Sequence, residues 1–329
     1  MNLKLLGLFA IALAALPSRA LAWNDLGHMS VAATTWARMN PTARIRAIAL
    51  LKLNPDYDRW VAGVALDQRD AVAFVRAATW PDHIKDKECP RPPAMATPGC
   101  YGNSGYHPAD AGDRLNIGYA DRDLRLYWHF KNVGFSSDGT ALTPPFAYNA
   151  ETQITLFIAA LGDASLSDEA RSFDLTWLLH LVGDVHQPLH AVARFTKDDR
   201  DGDSGGNGVM LCPPTLPLTC TKADKRTLHS YWDGALGQSR KPAAAFAVAA
   251  RYEGFTPSAA ELAAPPSQWI EESVTAAKLF AYAAPIGASS ATYSIRPNSA
   301  YARDTGSVAE QRVRLAGARL AEILNQKLV

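Results

Sequence analysis

His180-Leu-Val-Gly-Asp184-Val-His186-Gln-Pro-Leu-His190 is the stretch on which the reading of this chain turns. Trp177, His180, Leu181 and Asp184 fall at i, i+3, i+4 and i+7, the spacing of one face of an α-helix. At i, i+4 the imidazole of His180 and the carboxylate of Asp184 point the same way, about one turn apart. Pro188 lacks an N–H and clashes with the preceding turn, so the helix should break there and let His190 swing toward the same pocket. His229 and Asp233 repeat the i, i+4 pair further along. Imidazole nitrogen and carboxylate oxygen are donors that suit zinc. Spacing alone leaves a second reading open, in which each pair is an ion pair on a helix surface.

Outside that stretch the periodicity stays mostly helical. Ala316, Leu320, Ile323 and Leu324 again mark one helical face, while alternating strand patterns are few and short. Two stretches rich in Pro, Gly and Asp read as long loops, Cys89 to Gly118 and Thr196 to Ala223. No repeat, low-complexity segment or interdomain linker interrupts the chain, so one mainly α, multi-helix domain is expected. With 48% hydrophobic and 20% charged residues, the composition excludes a disordered tail, a collagen-like rod and a multi-span membrane protein. Lys plus Arg number 33 against 32 Asp plus Glu, so there is no basic excess to hold a polyanion nonspecifically.

The first 22 residues read as a secretory signal peptide: Lys4, the apolar run Leu5 to Leu16, then Pro17 to Ala22 ending in an Ala-x-Ala site. The run is too short to span a bilayer. Cleavage after Ala22 makes Trp23 the first residue of a domain covering 23–329, soluble and either secreted or periplasmic. The leader takes Lys4 and Arg19 with it, so the formal charge moves from +1 to −1. Four cysteines in an oxidising compartment suggest disulfides. Cys89 with Cys100 and Cys212 with Cys220 each enclose a Pro-rich loop and are the favoured pairs, free buried thiols being the alternative. No Cys-x-x-Cys zinc motif and no N-glycosylation sequon occur. Trp23 would carry a free α-amine five residues before His28. Such an amine has a pKa of about 7.7–8.0, so a metal displaces its proton at low cost. Amine nitrogen and Trp23 carbonyl oxygen could then close a five-membered chelate. The alternative for Trp23 is a hydrophobic anchor.

With the motifs Trp23-x4-His28, Thr79-Trp80-Pro81-Asp82, Trp128-His129-Phe130, His180 to His190, Gly205-Gly206-Asn207 and His229-x3-Asp233 in this order, the chain resembles the zinc-dependent, single-strand-specific nucleases of the S1/P1 type. Zinc phospholipases C are structural relatives of that family. The resemblance covers essentially all of 23–329 and implies a mainly helical fold with three zinc ions at the bottom of a cleft. By it, one zinc takes Asp82, His129, His180 and Asp184. A second takes the Trp23 amine and carbonyl, His28 and Asp184 as a bridge. The third takes His190, His229 and Asp233. A zinc-bridging water near Asp82 and Asp184 would be the nucleophile.

The resemblance also implies the reaction. An exported endonuclease would cut single-stranded DNA and RNA to products with 5′-phosphate, and would remove 3′-phosphate from 3′-nucleotides. A phenyl face at Phe130 could stack an unpaired base, a core aromatic being the alternative. Asn132 stands where many members carry an Asp that contacts the base edge. Lys85 could meet a phosphate oxygen, or be a solvated lysine. Asn207 could hold phosphate or shape the cleft, and Gly205 and Gly206 would allow a tight backbone path. His83, His107 and His186 stay outside this scheme, with His186 on roughly the opposite helix face from Asp184. Asp198 to Asp203 fails the helix-loop-helix calcium pattern, with Ser204 at the required Gly and Met210 at the twelfth position. The alternative function is a zinc phospholipase C acting on phospholipid, and a third possibility is a binding module with purely structural zinc. No stable protein partner is implied, and a monomer is expected.

Overall fold

The computed structural model describes residues 23–90, 99–106, 116–215, 220–221, 226–287 and 291–329. The leader expected at 1–22, and His107, lie outside the described residues.

The helix expected around His180 is α7 once the helices are counted in chain order. Before it come α1 (Asp25–Arg38), α2 (Pro41–Leu51), α3 (Tyr57–Val61), α4 (Arg69–Ala77), α5 (Trp80–His83) and α6 (Ala150–Leu161). α7 runs Asp168–His186, followed by α8 (Leu228–Asp233), α9 (Pro242–Ala250), α10 (Ala259–Ala263), α11 (Pro266–Ala276) and α12 (Ala300–Lys327). The Ser167 hydroxyl accepts from Ala170 N at the start of α7, and Asp168 and Glu169 complement the dipole in its first turn. Every residue from Ser172 to His186 is buried. A helix covered on all sides is a central helix, and α6, α2, α12, α1, α11 and α5 all pack on it. The helix ends where Pro188 dictates: Gln187 turns extended and Pro188–Ala191 forms one tight 3-10 turn.

The sheets are small. β1 (Val133–Phe135) pairs parallel with β2 (Val192–Arg194), which carries the chain away from His190. β3 (Met210–Cys212) pairs antiparallel with β4 (Arg226–Thr227) and parallel with β5 (Tyr293–Ser294). β3 corrects the reading of Thr196 to Ala223 as loop throughout. Its three residues are too few to show alternation, yet Leu211 and Cys212 are buried and register them against both neighbours. The disulfides are Cys89–Cys100 and Cys212–Cys220, as the loop spacing suggested. No helix among the described residues is long and apolar enough to cross a membrane.

One large core surrounds α7, and a smaller one gathers Leu189, Leu228, Trp232 and Tyr301 around the region after it. Aromatic rings dominate the large core beside the functional stretch. Trp177 meets Trp128 at 4.9 Å between centroids and Trp80 at 6.3 Å, both edge to face. Such contacts add roughly 0.5–1.5 kcal/mol each beyond area burial. They hold rigid the segments on which Asp82 and His129 sit.

Asp174 is the carboxylate of α7 least suited to its place. It is wholly buried, and Asn116 Nδ2 donates to its Oδ2 at 2.6 Å. Asp174 Oδ1 and Asn116 Oδ1 have no hydrogen-bond partner. Burial pushes the Asp174 carboxyl up to about 7, against the opposing hydrogen bond from Asn116. The fold therefore favours the neutral acid. Stability that is complete below about pH 4, where the unfolded carboxyl is also protonated, is lost as pH rises to about 7 and stays lost above. Asp174→Asn places a donor-bearing amide where the carboxylate offers only acceptors. At pH 8 it should be more stable than the wild type by roughly 2–4 kcal/mol, with the gap closing toward pH 4. Urea unfolding of both proteins across that range checks this, and a wild type more stable at pH 8 would refute it.

Candidate metal centre

Four helices and two tight turns bring the predicted donors together. Asp82 sits on the short α5, which Pro81 starts with its fixed φ. His129 ends the 3-10 turn Leu126–His129, entered through Arg125 at φ 47°. An ion pair of Arg125 Nε with Asp121 Oδ2 at 2.9 Å holds that left-handed residue in place. His180 and Asp184 project from α7, His28 from α1, His190 from the turn after α7, and His229 and Asp233 from α8. All eight side chains are buried.

Asp82, His129, His180 and Asp184 make the tightest group. His180 Nε2 lies 2.9 Å from His129 Nδ1. Asp184 Oδ2 lies 3.1 Å from His129 Nδ1 and 3.2 Å from His180 Nε2. Asp82 Oδ1 lies 3.8 Å from His180 Nε2 and 3.9 Å from His129 Nδ1. Four donors about 2.0–2.1 Å from one zinc stand about 3.3 Å apart, so these edges fit a tetrahedral ion. His28 adjoins the group, its ring stacked on His180 at 3.8 Å. Its Nε2 is 3.4 Å from Asp184 Oδ1 and 3.9 Å from Asp82 Oδ2. The stacking requires Gly183, because a Cβ there would come within 2.9 Å of His28 Nδ1.

His190, His229 and Asp233 form another group. The two histidine Nε2 atoms are 3.0 Å apart, and Asp233 Oδ2 is 3.7 Å from His229 Nε2. Donor atoms of His28/Asp82/His180, of His129/His180/Asp184 and of His190/His229/Asp233 each lie within 4.8 Å of one another, close enough to hold a metal ion.

The outer hydrogen bonds fix three tautomers. Nδ1–H of His180 donates to Ala78 O at 2.8 Å, that of His190 to His129 O at 2.7 Å, and that of His229 to Gly205 O at 2.7 Å. A carbonyl only accepts, so each Nδ1 carries the proton and each Nε2 turns a lone pair inward. Gly205 and Gly206 have φ of 64° and 79°, and Gly205 backs onto the Leu189 carbonyl, which a Cβ would strike. Both ring nitrogens of His28, His129 Nε2, Asp184 Oδ1 and Asp233 Oδ2 are buried without a hydrogen-bond partner. Leaving each so costs about 1–3 kcal/mol, which a bound cation would offset for those that face it.

The electrostatics suit a cation as well. Burial pulls His28, His129 and His190 well below the usual imidazole range, and His229 down to about 4. These rings are neutral at pH 7. Burial pushes Asp184 up to about 6 and Asp233 well up. Burial opposes the proton on His180, but Asp184 and Asp82 outweigh it and raise that ring. Asp82 is the exception among the acids. Burial pushes it up, yet Lys85 and then His180 outweigh burial and hold it well below the carboxylate range. Lys85 Nζ sits 2.6 Å from Asp82 Oδ1 and is buried, so it is no solvated surface lysine.

The remaining predicted residues are nearby but less engaged. Phe130 follows His129, is half buried against the core and faces Tyr106 at 6.5 Å between centroids. Asn132 is half buried. Asn207 Nδ2 donates to Ser204 O at 2.8 Å, within its own loop. Trp23 is wholly buried against Gly27, and the next residue is tied to the α8 region: Asn24 N donates to Asp233 O at 3.2 Å and Asn24 Nδ2 to Gly237 O at 2.5 Å.

His83 is outside the groups, 3.2 Å from Asp25 Oδ1. His186 turns away from Asp184, accepting at Nε2 from Arg319 Nη1 at 2.9 Å. In the acidic loop, Asp203 Oδ1 accepts from Arg194 N and its Oδ2 from Tyr282 Oη, a loop tie in place of a calcium ligand. One site residue escapes the sequence reading altogether. Gln187, inside the quoted stretch, donates to Asp233 Oδ1, and a partner 46 residues away leaves no local signal.

The chain has no match among curated proteins. The sequence model of the S1/P1 Nuclease family matches residues 23–329, nearly the whole chain, starting one residue after Ala22, where the leader was expected to end. That family consists of zinc enzymes that hydrolyse phosphodiesters, in keeping with the three His/Asp groups. From Trp23 to its end, this chain belongs to the S1/P1 nuclease family.

Proposed function

We propose that the chain is an exported, trinuclear zinc endonuclease that cuts single-stranded DNA and RNA to 5′-phosphate products and also removes 3′-phosphate from nucleotides. The observation that carries this reading is the set of buried His and Asp donors at zinc-ligand separations. Asp82, His129, His180 and Asp184 would hold one zinc; His28, Asp184 and the amine and carbonyl of a processed Trp23 would hold a second; His190, His229 and Asp233 would hold the third. Support for the Trp23 ligand comes from its burial and from the hydrogen bonds that tie Asn24 to Asp233 and Gly237. Two disulfides fit an exported protein.

Bound zinc acidifies water and neutralises charge developing on phosphate oxygens. The chain's own groups do the rest. Asp82 and Asp184 orient the attacking oxygen, and Lys85 presents its ammonium to a phosphate oxygen beside Asp82. Phe130 stacks an unpaired base, which a duplex keeps inside its own stack. Asn132 meets the base edge. Asn207, its amide on Ser204, shapes the loop behind His229.

Against a zinc phospholipase C stands Asp233, where those relatives usually place Glu, together with the aromatic Phe130 next to His129. Thorough treatment with EDTA should abolish hydrolysis of single-stranded DNA, and zinc should restore it. Activity on phosphatidylcholine in place of DNA would favour the lipase, and activity that survives EDTA would sink the metal mechanism.

Asp184→Asn should lower the tightly held zinc of the processed chain from three equivalents toward one, since in this reading two ions would share that carboxylate. Retention of all three in the variant would remove Asp184 as a bridge. Phe130→Ala should raise KM on single-stranded DNA about tenfold while kcat changes little, as stacking contributes about 1–3 kcal/mol per base. An unchanged KM would refute the stacking role.

A further inference from the structure

We propose that Gln187 is the positioning residue of the His190–His229–Asp233 group, its amide aiming the Asp233 carboxylate at the metal bound there. The inference rests on the zinc reading above and adds a residue to it.

Gln187 is wholly buried at the junction of three ligand-bearing segments. Its backbone N–H donates to Asp184 O at 2.9 Å and closes α7. Its side-chain Oε1 accepts from Leu189 N at 2.6 Å, capping the turn that carries His190. That bond settles which end of the amide is which. The Leu189 N–H can only donate, so it must face the amide oxygen, and the nitrogen must face Asp233. Nε2 then donates to Asp233 Oδ1 at 2.7 Å. Asp233 Oδ2 is left 3.7 Å from His229 Nε2, buried and without a hydrogen-bond partner.

The three members of the group thus follow one rule. His190 and His229 are each held from outside by a backbone carbonyl on Nδ1, and Asp233 by the Gln187 amide on Oδ1. Asp233 needs such a hold because it is the last residue of a helix only six residues long. A carboxylate there can rotate, and one oxygen occupied by a fixed donor selects the other for metal. Glutamine alone among neutral side chains supplies both the acceptor for Leu189 and the donor for Asp233 at this reach. Methionine keeps the shape and loses both bonds. Glutamate keeps the acceptor and sets an oxygen against an oxygen.

The test uses the full processed chain, its first residue verified, stripped of metal and titrated with Zn²⁺ against a competing chelator at pH 8. Wild type, Gln187→Met, Gln187→Glu, Asp233→Asn and the Gln187→Met/Asp233→Asn double variant are compared. Gln187→Met should weaken one of three equivalents by about 10–100-fold and leave the other two unchanged. Gln187→Glu should weaken the same equivalent at least as much. In the Asp233→Asn background Gln187→Met should add no further loss, because the amide acts through that carboxylate. Wild-type affinity for all three equivalents in Gln187→Met overturns the proposal. So does a uniform loss of all three with a lower melting temperature of the metal-free protein, the mark of a merely structural role. So does a further, additive loss in the double variant. A wild type that binds fewer than three equivalents fails the zinc reading itself, and Gln187's role with it.

Discussion

At the middle of the molecule His129 Nδ1, His180 Nε2 and Asp184 Oδ2 crowd within 2.9–3.2 Å of one another, out of reach of water. Three atoms with lone pairs cannot stand so close in a dry interior unless something positive lies among them. One proton serves one or two of the contacts, and the perturbed acidities of His180 and Asp184 record that competition. A divalent cation serves all of them at once. Much of the rest of the fold can be understood as the rigid shell that keeps these atoms from relaxing apart.

α7 makes that shell possible because it is anchored on the face opposite the donors. His186 Nδ1 donates to Val182 O, and His186 Nε2 accepts from Arg319, whose Nη2 meets Glu272 Oε1 at 2.7 Å. Arg312 donates to His186 O and also pairs with Glu272 at 2.7 Å. Ser273 Oγ donates to Val185 O. The last carbonyls of a helix ordinarily need water or a cap. Here α11 and α12 supply donors from buried side chains, so the turn bearing Asp184 and leading to Gln187 and His190 cannot fray. One short stretch therefore carries metal donors on one side and a satisfied ionic network on the other.

The part of this legible in the sequence is the part encoded at helical spacing or by near neighbours. His180 with Asp184 and His229 with Asp233 could be read because i, i+4 fixes direction whatever the tertiary structure does. Pro188 announced the helix end, and the two cysteine pairs enclosed their own loops. The meeting of Asp82, His129 and His28 was legible only through the order of motifs shared with a family, since no local rule brings together residues so far apart in sequence. Gln187 and Asp233, or Asn116 and Asp174, were beyond reach for the same reason. The one-face pattern also understated α7, which is buried all round. Its polar side chains have partners inside the protein, and hydropathy cannot distinguish those from groups facing solvent.

The near-neutral charge of the chain, which leaves no basic excess to hold a polyanion nonspecifically, becomes part of the proposed reading once the site is built. A basic surface binds polyanions through counterion release, without regard to strandedness. Here Asp82, Asp184 and Asp233 would offset only half of the charge of three divalent ions, so the positive surplus would be confined to the metal centre. In the proposed nuclease, phosphate would then be attracted chiefly to the metal centre, and discrimination would pass to what surrounds it. Phe130 lies one residue from His129, with Tyr106 beside it; in the proposed function, holding a base there would take a strand flexible enough to present phosphate and ring face together. In the proposed nuclease a stacked duplex could not do both, so a preference for single strands would follow from how phosphate and base are presented together.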